Sequence, residues 1–239
     1  MNILNSLGKL LPFHTKLKIQ HQLGVPQMFW SILNIKKNGF EPEFIVDAGA
    51  FMGEWTLDCR KIYPNSKILM IEGQKTQELH LSQYVSDNTL LEIGLIGSQK
   101  GKKVNFLIGG SNSNIQQNSS NTIFNNETTT IDYLAKKNNF PRIDFIKLDI
   151  QGYELEALKG TQDFIKNIEV ILIEVSLIDI GNSGVPLIRD VINYMFENGF
   201  TTYDICSTRI RRPLDDALWQ TDLIFVNNNS KLLISNLYI

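Results

Sequence analysis

The chain has 239 residues, of which 43% are apolar and 20% are charged, and its formal net charge is −2. This composition is typical of a folded α/β domain with a substantial core, and it excludes fibrous and disordered classes. A net charge so close to zero gives no electrostatic basis for nucleic-acid binding, so we expect none.

The two cysteines, Cys59 and Cys206, lie far apart and outside any metal-ligand or CxxC spacing. We therefore expect neither a zinc site nor a disulfide framework. No apolar stretch reaches the roughly 20 residues that span a membrane, and the basic N-terminus lacks the features of a signal peptide. We predict a cytoplasmic protein with a helical extension over residues 1–40 and one main domain over residues 41–239. Membrane or partner contact by the extension, and homo-oligomerisation, stay open.

Apolar runs alternate with helical patterns from residue 43 onward. The predicted elements are, in chain order, strand 44–49, helix 53–64, strand 67–73, helix 74–87, strand 89–97, strand 144–150, helix 153–167, strand 169–176, helix 186–199, and strands 201–206 and 222–227. This alternation predicts parallel crossover units, and the last two strands, with no helix between them, predict an antiparallel pair. The expected fold is a doubly wound, mostly parallel, seven-stranded Rossmann-like sheet with an antiparallel C-terminal edge strand.

Residues 100–130 are rich in Asn, Ser, Thr and Gly. We interpret them as a surface excursion with one strand and a flexible loop, and a lid or substrate-binding role is the alternative. The role of residues 109–130 stays open.

The stretch "VDAGAFMGEWT" places Asp47 at the end of the first strand, before two glycines that flank a tight turn into a helix. Gly49 and Gly53 allow close approach of a ligand to the backbone, and the helix N-terminus offers free N–H groups. Glu72 ends the second strand, where an acid can accept hydrogen bonds from two ribose hydroxyls. An acid before the glycines suits an amine-bearing ligand. Together these features indicate S-adenosylmethionine (SAM).

A nicotinamide oxidoreductase is the distant alternative, because its G-x-G-x-x-G motif would need a glycine where this chain has Phe51. The predicted cofactor site comprises residues of the first turn, the next two strand ends and the fourth strand: Asp47, Gly49, Ala50, Phe51, Gly53, Trp55, Glu72, Gly73, Leu95 and Asp149.

The stretch "KLDIQGYE" places Asp149 at the end of the fourth strand, on the same rim of the sheet as Asp47 and Glu72. Ligands of doubly wound sheets bind at this rim, and an acid ending a core strand needs a partner. We predict a functional role for Asp149. For Gln151 and Glu154, substrate binding and simple shaping of the turn are equal alternatives.

Six segments resemble, in order, the blocks of the FkbM-type SAM-dependent methyltransferases: "FIVDAGAFMGEWT", "MIEG", "TTIDYL", "IDFIKLDIQGYELEALKG", "ILIEVS" and "LWQTDLIFVN". The resemblance covers roughly residues 40–228 and implies a class I fold and methyl transfer to hydroxyl oxygens of sugars, surface glycans or polyketide-type products. Many relatives carry Glu where this chain has Gln151, and often Asn where it has Phe51. This chain therefore has one carboxylate fewer on the acceptor side.

Methyl transfer requires alignment of the acceptor oxygen and removal of its proton. Asp149 is the first candidate for this role, and Glu174, at the end of the fifth strand, is the second; pairing of Glu174 with Arg189 is its alternative. Asp149 and Glu174 could also hold magnesium, although their spacing does not demand a metal and we assign no metal site.

The loop before the last strand contains Arg209 and Arg211, followed by Trp219. These residues could bind an acidic or sugar-linked acceptor, or form a solvated basic loop with a packed tryptophan. We predict a SAM-dependent O-methyltransferase that acts on a small molecule or glycan. The alternative is a SAM-binding scaffold without catalysis in glycan assembly.

Overall fold

The computed structural model describes residues 11–23, 27–107, 114–116, 126–207, 210–233 and 235. Its helices are α1 Phe13–Gln22, α2 Met28–Lys37, α3 Glu54–Ile62, α4 Glu78–Ser82, α5 Ile131–Lys137, α6 Glu154–Lys159 and α7 Ile188–Glu197. Its strands are β1 Phe44–Ala48, β2 Lys67–Glu72, β3 Thr89–Ile93, β4 Leu95–Ile96, β5 Lys103–Leu107, β6 Asn114–Gln116, β7 Asn126–Thr129, β8 Phe145–Leu148, β9 Val170–Ser176, β10 Phe200–Ile205, β11 Ile210–Arg211 and β12 Leu218–Asn227.

The central sheet has the strand order β3-β2-β1-β8-β9-β12-β10, and β11 adds a short pairing to β12. The five strands from β3 to β9 pair in parallel, whereas β12 is antiparallel to both β9 and β10. The predicted α/β fold and antiparallel C-terminal pair are therefore confirmed. Strand β1 lies between β2 and β8, so the chain reverses its direction across the sheet at β1, where such folds bind ligands.

The predicted strand 89–97 is divided at Gly94. Its first half, β3, closes the central sheet, and its second half, β4, joins a second sheet of order β4-β7-β5-β6. The Gly94 N–H donates to the Glu72 carbonyl at 2.9 Å, while the next residues turn toward β7. The excursion over residues 100–130 thus contributes strands of a second sheet.

Two predicted helices are shorter than expected. The helix predicted over residues 153–167 ends at Lys159, and a 3-10 turn, Ile165–Asn167, follows. Gly160 lies against the backbone here, because a Cβ at this position would meet the Gly97 carbonyl oxygen at 2.2 Å. The helix predicted over residues 74–87 begins with a 3-10 turn, Lys75–Gln77, and its α-helical part ends at Ser82.

Apolar side chains cover both faces of the sheet, as a doubly wound fold requires. Helix α2 belongs to one face, where its Ile32 and Ile35 form one buried cluster with Trp55 and Phe145. The predicted extension is therefore helical and packs on the domain where it is described, while residues 1–10 and 24–26 lie outside the described part. The boundary at residue 40 stays a prediction. Within the described residues, no helix is both long and apolar enough to span a membrane.

Candidate active site

A cavity of about 320 Å³ opens at the carboxyl ends of β1, β2, β8 and β9. One wall is apolar and includes Ile71, Leu95, Ile96 and Phe106. The opposite wall is polar and contains Asp149, Gln151, Glu174 and Gln220, with Trp219 beside them. The cavity thus has one end suited to an apolar ring and another suited to a polar ligand.

Glu72 stands at the end of β2, on the cavity wall. Its Oε2 accepts a hydrogen bond from the Phe51 N–H at 2.7 Å, and its Oε1 accepts one from the Gln74 N–H at 2.8 Å. Burial raises the pKa of Glu72, and these two backbone N–H groups partly offset that rise. The carboxylate is therefore fixed in orientation and can accept further hydrogen bonds from a ligand in the cavity.

The first turn brings the backbones of β1 and β8 into close contact. Gly49 has a φ of +84°, and a Cβ at this position would lie 1.8 Å from the Asp149 carbonyl oxygen. Phe51 also has a positive φ, +46°, which is uncommon for an aromatic residue. The Phe51 N–H donates the hydrogen bond to Glu72 described above, so this unusual backbone conformation is held against the end of β2.

Asp47 lies beneath the cavity and does not line it. Its side chain is fully buried, its Oδ2 accepts a hydrogen bond from the Thr56 hydroxyl at 2.6 Å, and its Oδ1 lies 3.2 Å from the Lys147 Nζ. Burial would lower the pKa of Lys147, but the charges of Asp47 and Asp149 raise it above its ordinary value. Asp47 is thus the counter-ion of a buried lysine.

At the polar wall of the cavity, Gln151 connects two acids. Its Nε2 donates to Asp149 Oδ1 and to Glu174 Oε2, each at 2.9 Å. A second amide, that of Gln220, also donates to Glu174 Oε2, at 3.0 Å. Gln151 has a φ of +55°, so the turn after β8 is built to bring this amide between the two carboxyl groups.

Glu174 and Asp222 are paired across β9 and β12 and are both acids in a buried setting. Burial, and then the charge of Asp149 nearby, raises the pKa of Glu174 to about 9 and that of Asp222 to about 7. The raised pKa of Glu174 favours its protonated form, which can donate a hydrogen bond as well as accept one.

Glu154 shapes the turn and does not line the cavity. Its Oε1 accepts hydrogen bonds from the N–H groups of Ile150 at 2.9 Å and Gly152 at 3.1 Å. Burial raises the pKa of Glu154 to about 7. Of the two alternatives for this residue, the geometry fits the structural one.

The predicted residues divide into two groups by position. Those on the cavity wall are Gly49, Phe51, Glu72, Gly73, Leu95, Asp149, Gln151, Glu174 and Trp219. Those that do not line the cavity are Asp47, Ala50, Gly53, Trp55, Glu154 and Arg211, while Arg209 and most of residues 109–130 lie outside the described residues.

Each residue in the second group has a packing reason for its position. Ala50 packs with Met70 and Leu81, and Gly53 precedes α3 with a φ of +76°. The Trp55 ring lies in the core, and its Nε1 donates to the sulfur of Met28 at 3.2 Å.

Two arginines are engaged away from the cavity. Arg211 donates to the Asp216 carbonyl at 2.7 Å, and Arg189 pairs with Asp190 at 3.3 Å. The carboxyl group of Glu174 accepts from Gln151 and Gln220, so the predicted alternative of a Glu174–Arg189 pair is not what the structure shows.

Residues in or beside the cavity that were not predicted from the sequence include Ile71, Ile96, Phe106 and Gln220, which line it, and Lys147 and Asp222, which lie next to its acids. Lys147 precedes Asp149 by two positions, and residues two apart in a strand point to the same side, which is a usable signal. The acid in "TDLIFV" was a second signal, since it lies in an apolar strand. Phe106 gives none, because an aromatic residue in an excursion is usually only packed.

The residues present do not fit a magnesium site between Asp149 and Glu174. The amide of Gln151 donates to both of these acids and occupies the position where a shared cation would bind. In the described part of the chain, no group of three or more His, Cys, Asp or Glu residues is arranged to hold a metal ion.

The strand order and the rim cavity define the class I methyltransferase fold. A solved structure of a candidate O-methyltransferase from Klebsiella pneumoniae aligns over 94% of this chain and 95% of its own, with a TM-score of 0.54 and 14% identity. Aeropyrum pernix fibrillarin, solved with natively bound S-adenosyl-L-methionine, aligns over 78% of this chain and 67% of its own, at a TM-score of 0.45 and 14% identity.

The family model described as the methyltransferase FkbM domain matches residues 47–202. The chain therefore belongs to the FkbM methyltransferase domain family, as its motifs indicated, and the nicotinamide alternative is set aside. The curated protein "Methyltransferase 1" from Beauveria bassiana (strain ARSEF 2860) is 26% identical over 149 residues, or 52% of this chain. The match covers 60% of the length of that fungal protein.

Proposed function

We propose that the protein transfers a methyl group from SAM to a hydroxyl oxygen of a sugar, surface glycan or related metabolite. The observation that carries the proposal is that one cavity is lined both by Glu72 and by the Asp149–Gln151–Glu174 group. Family membership supports methyl transfer, and the polar end of the cavity supports an oxygen-bearing acceptor.

The residues of the apolar end fit the cofactor. Glu72 would accept hydrogen bonds from ribose hydroxyls, as an acid at the end of the second strand does in related folds. Leu95, Ile96 and Phe106 offer an apolar surface for a purine ring. Gly73 allows the Leu95 side chain to pack directly against the backbone at the end of β2, because a Cβ at position 73 would lie 2.7 Å from that side chain.

When bound, SAM supplies an electrophilic methyl group on a positively charged sulfur. Asp149 lies on the cavity wall with its side chain 37% exposed, so it can accept the proton of an acceptor hydroxyl as the new bond forms. Gln151 orients this acid through Oδ1. Protonated Glu174 can donate to a neighbouring acceptor oxygen, and it would fix the orientation of a polyol.

The proposed acceptor is an uncharged ring rather than a phosphorylated group. Trp219 lies beside the acids and can stack on a sugar face. Arg211 donates to the Asp216 carbonyl at 2.7 Å and does not line the cavity, and no arginine or lysine is among the described residues of its wall. We further propose that the protein works in the cytoplasm, where the buried free thiols of Cys59 and Cys206 stay reduced.

Calorimetric titration with SAM and S-adenosylhomocysteine tests the proposal, using the wild type, Glu72→Gln and Glu78→Gln. Glu78 is an exposed acid on α4 and provides the matched control. We expect Glu72→Gln to weaken S-adenosylhomocysteine binding roughly 10- to 100-fold, because charge-assisted hydrogen bonds contribute about 1.5–3 kcal/mol. Absence of heat with the wild type would overturn the cofactor assignment.

Turnover is measured separately, as transfer of a labelled methyl group to a panel of mono- and oligosaccharides with and without phosphate. Transfer to unphosphorylated acceptors supports the proposal. SAM binding without transfer to any acceptor in the panel counts against catalysis and favours the scaffold alternative.

A further inference from the structure

Lys147 is a charged residue inside the sheet, on β8, where it pairs in register with Asp47 on β1. The residue is only 4% exposed. Its Nζ donates to the Gly49 carbonyl at 2.8 Å, lies 3.2 Å from Asp47 Oδ1 and lies 3.6 Å from Asp149 Oδ2. One buried cation therefore contacts the first turn, a buried acid and the acid on the cavity wall.

A structural ion pair with Asp47 does not account for all of these contacts. Burying a charged pair rarely adds stability over apolar residues of the same volume, so a stability role alone gives little reason for the lysine. Asp47 already neutralises the charge of Lys147, and the third contact reaches Asp149, which is exposed to the cavity. Lys147 thus connects a buried acid, Asp47, with an acid on the cavity wall, Asp149.

The two oxygens of Asp149 are held from different sides. Gln151 donates to Oδ1 at 2.9 Å, and the Lys147 ammonium faces Oδ2 at 3.6 Å. The same ammonium is hydrogen-bonded to the turn that ends β1, and the Asp149 N–H donates to the Ala48 carbonyl at 3.1 Å. The position of Asp149 is therefore coupled to the turn on the cofactor side.

We propose that Lys147 is a positioning residue: from beneath the cavity, its ammonium group holds the Asp149 carboxyl group aligned, and it links that acid to the Gly49 turn. The proposal rests on the function proposed above. It adds a buried residue that touches neither ligand and acts through Asp149.

Acidic groups surround this lysine on every side. Asp47 and Asp149 contact it directly, and Glu72 on β2, Glu174 on β9 and Asp222 on β12 lie within its electrostatic reach. Glu154 on α6 adds to the acidity around Glu174. Lys147 lowers the pKa values of Glu72, Glu174 and Asp222, so its removal is expected to raise all three.

The decisive variant is the double substitution Lys147→Met with Asp47→Asn. Lys147→Met alone leaves the buried Asp47 carboxylate without a counter-ion and can fail to fold, whereas the double variant removes both charges together. Lys147→Arg retains the charge and tests rescue. Lys67→Met is the matched control, because Lys67 lies on β2 of the same sheet, two strands from β8, and its Nζ contacts the Asn138 carbonyl at 3.4 Å, away from the cavity.

The first readout needs no turnover. Side-chain carboxyl ¹³C signals are followed by NMR against pH, with circular dichroism as the check on folding. In the folded double variant, we expect the titration midpoints of Glu174 and Asp222 to move to higher pH, with those of Lys67→Met unchanged. Unmoved midpoints in a folded double variant would overturn the proposal, whether or not the wild type proves to be a methyltransferase.

The second readout uses the acceptor found in the saccharide panel. We expect the double variant to bind S-adenosylhomocysteine within a few-fold of the wild type and to lose kcat roughly 10- to 100-fold. Lys147→Arg should recover part of kcat, because it retains the positive charge beside Asp149. A wild-type kcat in the double variant would show that Lys147 is only structural.

Discussion

The side-chain amide of Gln151 donates to Glu174 Oε2 at 2.9 Å, across the ends of two neighbouring parallel strands. This contact keeps two acids of the site apart without a cation, since the same amide also donates to Asp149. A substitution at position 151 therefore changes the hydrogen bonds of both Asp149 and Glu174 at once.

Gln151→Glu replaces this amide with a third carboxyl group between two others. We expect the variant to lose about 1–3 kcal/mol of unfolding free energy, because hydrogen bonds to acids are replaced by repulsion. The loss should be larger at pH 8 than at pH 6, since the crowded acid binds its proton more tightly in the folded state. Urea denaturation at both pH values measures this. The exposed Gln162→Glu is the control, and an equal loss in the two variants would contradict the prediction.

Glu154→Gln tests the buried acid of the turn. The folded-state pKa of Glu154, about 7, lies above its ordinary value of 4.5, so the folded state binds the extra proton between these pH values. Stability from this group is thus full below about pH 4.5 and is lost as the pH rises through about 7. The glutamine keeps the Oε1 acceptor for Ile150 and Gly152. We expect it to reduce the fall in unfolding free energy between pH 5 and pH 8 by on the order of 1–3 kcal/mol, measured by urea denaturation. An identical pH dependence in both proteins would be the contrary result.

Gly49→Ala tests the close contact between the first turn and the end of β8. Gly39→Ala is a precise control, because Gly39 also has a positive φ, +97°, but has nothing within 4 Å of an added Cβ. We expect Gly39→Ala to cost about 1–2 kcal/mol from backbone strain alone. Gly49→Ala should cost at least about 1–3 kcal/mol more, because its Cβ would meet the Asp149 carbonyl oxygen. Thermal and urea unfolding measure the difference, and equal costs would mean that the backbone gives way freely there.

Phe106→Ala tests whether the second sheet contributes to the cofactor pocket. Phe106 is 8% exposed and lines the cavity, whereas Phe196 is 75% exposed on α7 and serves as a control of the same type. We expect Phe106→Ala to weaken S-adenosylhomocysteine binding roughly 10-fold, from the loss of about 1.5 kcal/mol of apolar burial. Calorimetry measures both variants. Unchanged affinity in a folded Phe106→Ala protein would exclude the ring from the pocket.

The sequence predicted the parts of the site that depend on the order of strands. Parallel strands in one sheet end at a common rim, so Glu72 and Asp149 could be placed there without coordinates. Asp47 was expected at the same rim, but it is the last residue but one of β1, and its buried side chain pairs with Lys147 and does not line the cavity. Which side a terminal residue faces depends on the local pleat, and the sequence pattern of a fully buried strand does not reveal it.

Helical phase explains a second difference. Trp55 is the second residue of α3 and follows Gly53 closely in the sequence. Its position on the helix nevertheless directs the ring toward α2 and Phe145 and away from the cavity. The contribution of Phe106 depended on the path of the excursion through the second sheet. Long connections carry few local signals of their path, so this wall could only be found in three dimensions.

The break at Gly94 divides the wall of the cavity between two sheets. Upstream, β3 is held by the parallel sheet, whose strand order fixes where Glu72 and Asp149 end. Downstream, β4 carries a sheet that supplies the Leu95 and Phe106 wall but takes no part in that order. Substitutions in the second sheet are therefore expected to change the apolar wall of the cavity while Glu72 and Asp149 stay at the ends of their parallel strands.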